Sequence, residues 1–207
     1  MENHPVELKV KTVFILLDLQ NNNNYNIIIT MKEIYLIKNF NSLDELNYEK
    51  YGSETFLDPY FIDTRLTSLG HKQCNSFKNK ISIDKIDLVL VSPLHRALET
   101  SYNIFSNNIN TICLDQLKEY PNSGYTCNKR KKKSELKQLY NYINFNYISN
   151  IDNWDWDIYE SKESLDNRIQ FVKKYIDNCP NNIIYIVSHK NFIDNFTNCN
   201  INYSILN

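Results

Sequence analysis

Three short apolar runs, each followed directly by polar or basic residues, constrain the fold of this chain more than any other feature. Their polar tails occupy residues 38–42, 92–100 and 188–190. In an α/β sheet, ligands gather at the carboxyl ends of the strands. We therefore predict that the three tails converge on one anionic ligand.

The apolar runs have the length and continuity of strands that are buried on both faces. Strands are predicted at residues 33–37, 86–91, 111–114 and 183–187. Helical signals lie between and after these runs. This alternation of strands and helices predicts an α/β fold.

Capping and stop residues place the helices. Thr67 is a suitable N-cap for a helix that continues to about Lys80. Pro93 suits the first turn of a second helix. The longest helix is predicted to open near Ser161 and to end before Pro180. Its apolar stripe is Leu165, Ile169, Val172 and Ile176.

The first 30 residues are predicted to be an N-terminal extension, and residues 31–207 the folded domain. Residues 10–19 can form one strand, and the Asn-rich tract at 20–24 is expected to act as a flexible connector. Residues 41–61 have little periodicity and are interpreted as a long irregular excursion rich in aromatic side chains.

Composition excludes several classes of function. The chain of 207 residues has a net charge of −1, so no global field directs it to nucleic acid or to a membrane. Five scattered cysteines without a Cys-x-x-Cys pair argue against a metal site or a disulfide framework. The apolar run at residues 13–17 is too short to span a bilayer and lacks the features of a signal peptide.

These properties predict a cytoplasmic location. The basic run from Lys129 to Lys133 is interpreted as a solvated helix start, with a nuclear-import or polyanion-binding patch as the alternative.

Four segments together resemble the histidine phosphatase superfamily, in its phosphoglycerate mutase-like branch. Residues 58–73 are similar to the pattern D-P-x-x-x-D-x-x-L-T-x-x-G-x-x-Q, and residues 92–100 to S-P-L-x-R-[AT]-L-x-T. Residues 117–130 resemble the segment that contains L-x-E, and Ser188-His189 fills the second-histidine motif. Residues 198–201 resemble the closing strand. The order and spacing of these segments carry the resemblance, which covers about residues 33–207.

The resemblance implies a three-layer α/β/α sandwich around a mixed, mostly parallel sheet. It also implies phosphoryl transfer through a phosphohistidine, without a metal or cofactor. Arginines and a second histidine hold the phosphoryl oxygens, and a carboxylic acid protonates the leaving oxygen.

The nucleophile's motif is absent. The family's Arg-His-Gly corresponds to Lys38-Asn39-Phe40. The amide nitrogen of Asn39 has its lone pair delocalised into the carbonyl, so it cannot form a phosphoenzyme. Lys38 keeps the charge but lacks the guanidinium fork. Phe40 is expected to place a large ring beside the pocket mouth, with strain if a positive φ is needed there.

Other functional positions are retained. By resemblance, Arg96 clamps phosphate, His189 is the second imidazole, and Glu119 is the acid or base. With Lys38 and Asn39, these residues predict a phosphate-binding pocket for phosphate or a phosphorylated small molecule, in a catalytically impaired protein. His95 is a weak alternative nucleophile, because its position in the motif is a variable helix residue.

Two other functions stay open. The first is a weak phosphomonoesterase in which Glu119 directs water against phosphate held by Arg96 and His189. The second is an interaction scaffold that binds a partner through residues 48–61 and the basic run. The sequence does not specify an oligomeric state.

Overall fold

The computed structural model describes residues 7–20, 24–198 and 204–205, with side chains described for residues 32–198. The strands are β1 Glu7–Gln20, β2 Asn24–Lys38, β3 Leu88–Val91, β4 Thr111–Leu114, β5 Asn144–Tyr147, β6 Ile183–Ser188 and β7 Ser204–Ile205. The α-helices are α1 Leu43–Tyr51, α2 Ser68–Lys78, α3 His95–Phe105, α4 Lys133–Leu139, α5 Lys162–Asn178 and α6 Lys190–Asn198.

These strands form a mixed sheet in the order β5, β4, β3, β6, β2, β1, β7. Neighbouring strands from β5 to β2 are parallel, whereas β1 pairs antiparallel with both β2 and β7. The predicted α/β fold with a mixed, mostly parallel sheet is therefore confirmed.

Helices cover both faces of the sheet. Alternation along β2 sends Ile34 and Leu36 to the face that packs against α5 and α6, and Ile37 to the face that packs against α2, α3 and α4. The predicted stripe on α5 is buried throughout, and its members are Leu165, Ile169, Val172 and Ile176. Burial of one such side chain contributes about 1.5–3 kcal/mol, so this stripe fixes α5 on the sheet.

The start of the chain forms a hairpin. β1 pairs with β2 over its full length, from Glu7 opposite Ile37 to Gln20 opposite Asn24. The strand predicted at residues 10–19 is thus confirmed, and residues 21–23 of the predicted connector lie outside the described residues. β2 runs through position 30, and the division of the chain there stays a prediction. The predicted closing strand lies outside the described residues except for Asn198, which ends α6.

Part of the irregular excursion is helical, so that interpretation was wrong for α1. This helix begins after Ser42, whose backbone N–H donates to the Glu45 carboxylate at 3.3 Å. Leu43 and Leu46 remain 38% and 49% exposed. Polar capping therefore stabilises this helix, and its sequence has no apolar stripe from which a helix could be predicted. Strand β5 was also not predicted.

The basic run is not uniformly solvated, contrary to our interpretation. The Arg130 side chain is fully buried and pairs with Asp115 at 2.8 Å. Lys129 lies over the Trp154 ring, whereas Lys132 is exposed. Because most of its cations have partners within the chain, the run does not form one continuous basic surface.

Among the helices in the described ranges, none has the length and apolar character needed to cross a membrane.

Candidate functional site

The register of three parallel strands brings two predicted site residues, Asn39 and His189, together with Ser92. Lys38 pairs with Ser188 at the ends of β2 and β6, and Val91 of β3 pairs with Val187 of β6. The next residue along each strand is therefore placed at the same edge of the sheet. These residues are Asn39, His189 and Ser92.

A directional chain of hydrogen bonds joins the three side chains. Asn39 Nδ2 donates to the Phe40 carbonyl at 3.0 Å, which leaves its Oδ1 to accept from His189 Nδ1 at 2.9 Å. His189 Nε2 lies 2.8 Å from Ser92 Oγ, which itself accepts the Leu94 N–H at 3.4 Å. These partners assign a neutral imidazole with its proton on Nδ1 and with Nε2 accepting from the Ser92 hydroxyl.

Electrostatics agrees with the neutral form. Burial lowers the pKa of His189 well below its ordinary value, and the nearby positive charges of Arg96 and Arg168 lower it further. His189 is therefore an uncharged hydrogen-bonding group at neutral pH.

Arg96, near the start of α3, is buried beside this chain. Its Nη1 donates to the Cys127 carbonyl at 2.7 Å and its Nη2 to Asn128 Oδ1 at 2.8 Å. A guanidinium has five N–H donors, and these bonds within the described residues use two of them. Arg96 is only 3% exposed.

Carboxylates surround this guanidinium. Burial lowers the pKa of Arg96, but the negative charge of Asp44, with smaller contributions from groups that include Glu119 and Asp63, outweighs burial and raises it. Burial raises the pKa of Asp44 in turn, and Arg96 together with a hydrogen bond from Thr64 brings it below its ordinary value. Internal anions therefore already balance the charge of Arg96.

Besides its interaction with Arg96, the Glu119 carboxylate accepts backbone hydrogen bonds. Its Oε1 accepts N–H bonds from Tyr120 at 2.7 Å and Phe192 at 3.1 Å, and its Oε2 accepts one from Asn191 at 3.4 Å. Asn191 and Phe192 are in the first turn of α6, so the carboxylate caps that helix. Burial raises the pKa of Glu119, while the Tyr120 N–H and the charge of Arg96 oppose the rise.

Lys38 and Phe40 point in different directions. The Lys38 ammonium pairs with Glu45 of α1 at 2.7 Å, and both side chains are partly exposed. Phe40 is 3% exposed and packs in the core against Phe77, with ring centroids 5.9 Å apart. Its backbone is not in the positive-φ region. The expectation of a ring at the pocket mouth was therefore wrong.

The hydrogen bonds from Ser92 to His189 and from His189 to Asn39 match the arrangement of a nucleophile, a base and an orienting group in a catalytic triad. Ser92 and His189 are both 0% exposed, so in this conformation no substrate reaches the hydroxyl. The three side chains therefore form a buried structural network. His95 is likewise buried, and its ring packs edge-on against Tyr140, away from this network.

Three neighbours of the site were not singled out from sequence. Ser92 and Asp63 lay inside quoted motifs, and Asp44 lay in the segment interpreted as irregular. Asp63 is 2% exposed and accepts the N–H groups of His95 at 2.8 Å and Lys131 at 3.1 Å. Its place in the D-P-x-x-x-D pattern was the available signal. Within the described ranges, no group of three or more His, Cys, Asp or Glu side chains is arranged to hold a metal ion.

Comparisons with known proteins match this architecture. A family model described as the histidine phosphatase superfamily (branch 1) matches residues 61–205, a range that begins after the end of β2. A phosphoglycerate mutase-like protein from Arabidopsis thaliana is 24% identical over an alignment of 202 positions. The match covers 78% of this chain and 72% of the relative.

Two solved structures share the fold. An ecdysone phosphate phosphatase from Bombix mori, in complex with tungstate, has a TM-score of 0.57 at 14% identity and covers 84% of this chain and 82% of its own. An alpha-ribazole phosphatase from Shigella flexneri has a TM-score of 0.52 at 19% identity and covers 77% of this chain and 75% of its own.

Proposed function

The chain belongs to the histidine phosphatase superfamily, and we propose that it is a catalytically impaired member that binds phosphate or a phosphorylated small molecule. The observation that carries this proposal is the 2.9 Å contact between Asn39 Oδ1 and His189 Nδ1. An amide occupies the strand end beside the second imidazole, where the resemblance places the nucleophile. An amide nitrogen does not attack phosphorus, and loss of a catalytic nucleophile costs on the order of a millionfold in kcat.

Retention of phosphate is supported by the cations around this strand end. Arg96 has N–H donors beyond the two that bond Cys127 and Asn128. Lys38 is partly exposed, and its ion pair with Glu45 can exchange for an oxyanion. A ligand must compete with these internal acceptors, so we expect modest affinity. The two structural relatives are named as phosphatases of small molecules, an alpha-ribazole phosphatase and an ecdysone phosphate phosphatase. The second was solved with the tetrahedral oxyanion tungstate.

The binding half of the proposal is tested by calorimetric titration with inorganic phosphate and with tungstate. We expect saturable binding that weakens about fivefold or more in Lys38→Met, because one oxyanion contact is lost. Lys137→Met, an exposed position on α4, is the matched control and should bind as the parent does. Absence of saturable binding by either oxyanion contradicts retention of the site.

The catalytic half is tested by incubation with a radiolabelled acyl phosphate. The parent protein should acquire no acid-labile, base-stable label, whereas Lys38→Arg combined with Asn39→His should acquire it on the introduced imidazole. Phe40 is kept in this variant, because its removal from the core would cost about 3–5 kcal/mol. A phosphohistidine label on the parent protein, lost in His189→Ala, refutes the proposal.

One observation favours weak phosphomonoesterase activity as a second candidate. Burial raises the pKa of Glu119, as a general acid or base requires. Hydrolysis of a generic aryl phosphate that disappears in both Lys38→Met and Glu119→Gln supports this activity. Hydrolysis that persists in both variants points to a contaminating phosphatase.

A further inference from the structure

A surface cavity of about 250 Å³ lies beside the Glu119 loop and takes no part in the proposed phosphate site. Part of its lining is aromatic and comes from Tyr120, Tyr125 and Tyr159. The rest comes from Pro121 and from one face of α6, with Asn191, Asp194 and Asn195.

Two of the tyrosine rings lie next to each other and nearly perpendicular, so they form a corner of the cavity wall. The Tyr125 and Tyr159 centroids are 6.3 Å apart and their planes are at 86°. Phe56 stacks on Tyr125 at 5.0 Å, and Tyr48 stacks on Phe56 at 5.0 Å. The Tyr125 carbonyl also accepts the Trp154 indole N–H at 2.9 Å. Tyr125 is therefore held in place before any ligand arrives, which lowers the entropy cost of binding.

Gly124 precedes Tyr125 and has a left-handed backbone conformation. Its φ is +84°, a region that side-chain-bearing residues rarely adopt, and its N–H donates to the Asp155 carbonyl at 3.0 Å. This bond ties the Tyr125 loop to the segment that carries Tyr159. A backbone hydrogen bond therefore helps to fix the relative positions of the Tyr125 and Tyr159 rings.

The polar lining is rich in acceptors. Asn191 Nδ2 donates to the Tyr120 carbonyl at 3.0 Å, and Asn195 Nδ2 donates to the Asn191 carbonyl at 2.7 Å. Each bond uses one of the two N–H groups of its amide nitrogen, so each amide keeps an oxygen that can accept and one N–H that can donate. Asp194 adds a carboxylate. Such a lining accepts hydrogen bonds and stabilises positive charge.

The protein already keeps one cation at this place. Lys190 pairs with Asp194 at 2.6 Å, with side chains 67% and 47% exposed. The hydrogen bond and charge of Asp194 raise the pKa of Lys190, and Glu119 adds to the rise. Exposed pairs of this kind exchange readily with other ions. A ligand cation can therefore replace the lysine.

We propose that this cavity binds an organic ammonium group, held over the faces of Tyr125 and Tyr159 and balanced by Asp194. The negative faces of aromatic rings attract cations, and alkylated ammonium groups suit such sites because they lose little hydration. A neutral group of the same shape gains the contact area but not the attraction. This inference does not depend on the phosphate proposal.

The test uses choline and its uncharged carbon isostere dimethylbutanol, titrated into the full chain in phosphate-free buffer and followed by ligand NMR. We expect choline to bind at least about threefold more tightly than the isostere, as a cation–π contact at an exposed site predicts. Equal binding of the two probes, or no saturable binding of choline, overturns the proposal. Omitting phosphate keeps this outcome separate from failure of the phosphate site.

Variants locate the interaction. Tyr159 is 62% exposed, so its replacement leaves the fold intact. Tyr159→Ala should weaken choline binding at least about threefold, whereas Tyr159→Phe should retain it because the ring remains. Asp194→Asn should weaken binding and Lys190→Gln should strengthen it. Tyr102→Ala, which removes a 50% exposed ring on α3, is the matched control. Choline binding that is unchanged in both Tyr159→Ala and Asp194→Asn contradicts the proposed contacts.

Discussion

The strand-end site and the tyrosine cavity both adjoin Glu119, whose carboxylate accepts N–H bonds from Tyr120 and Asn191 of the cavity lining. They differ in how their polar groups are satisfied. At the strand end, His189 has a partner on each ring nitrogen, Arg96 is surrounded by carboxylates, and Lys38 pairs with Glu45. In the cavity, the Asp194–Lys190 pair is more exposed than the Lys38–Glu45 pair, and tyrosine rings line the opening. Polar groups that satisfy one another stabilise the fold, whereas groups still open to solvent can bind a ligand.

The largest expected effect concerns Arg96. Arg96→Leu should lower the free energy of unfolding by about 3–5 kcal/mol, because it leaves the buried carboxylates around it without a cation. Urea denaturation measures the loss. Lys190→Leu is the control, since Lys190 and its partner Asp194 are both exposed, at 67% and 47%, and it should cost about 1 kcal/mol or less. Equal losses in the two variants would show that Arg96 is not held as a buried counter-ion.

The next effect is a pH dependence of stability. The pKa of His189 is lowered in the folded state, so below about pH 6.5 the unfolded chain binds a proton that the folded chain does not. Stability should therefore fall as the pH falls, by up to about 1.4 kcal/mol per pH unit for this group.

Other described groups also titrate at acid pH, and two of them act in opposite directions. His95, with its pKa lowered to about 4 by burial, adds to the loss of stability. Asp63, with its pKa raised to about 6 by burial, acts in the opposite direction, because its folded form holds a proton that the unfolded form releases. The contribution of His189 is therefore the difference between the parent and His189→Gln. We expect the variant to have a flatter acid slope, and identical slopes would contradict a buried neutral imidazole.

The smallest effect on stability is expected at the edge of the strand-end site. Glu45→Gln should change the free energy of unfolding by less than about 1 kcal/mol, because its pair with Lys38 is partly exposed. It should nevertheless tighten phosphate binding about threefold or more by releasing Lys38. The glutamine oxygen can still accept the Ser42 N–H. Glu135→Gln removes a similar capping carboxylate from α4 and should leave phosphate binding unchanged.

Sequence patterns predicted most of the framework, and the reason differs from element to element. Helix α5 has an apolar stripe at helical spacing between a serine cap and a proline, and strands β3, β4 and β6 are continuous apolar runs. Helix α1 escaped notice because capping and polar contacts form it. Strand β5 was not predicted because it lies at the edge of the sheet and only one of its residues, Phe145, is buried. It therefore has no apolar run.

The sequence by itself determined that residue 39 carries an amide, which cannot attack phosphorus. Its correspondence to the family's nucleophile stays a prediction. The sequence also determined the α/β class, because burial of apolar runs leaves few other arrangements. The tertiary structure alone decided that Asn39, His189 and Ser92 form one hydrogen-bond chain, that Phe40 lies in the core, and that Tyr125 and Tyr159 meet across a cavity. These contacts join residues far apart in the chain, and their geometry depends on strand register and loop packing, which no local pattern encodes.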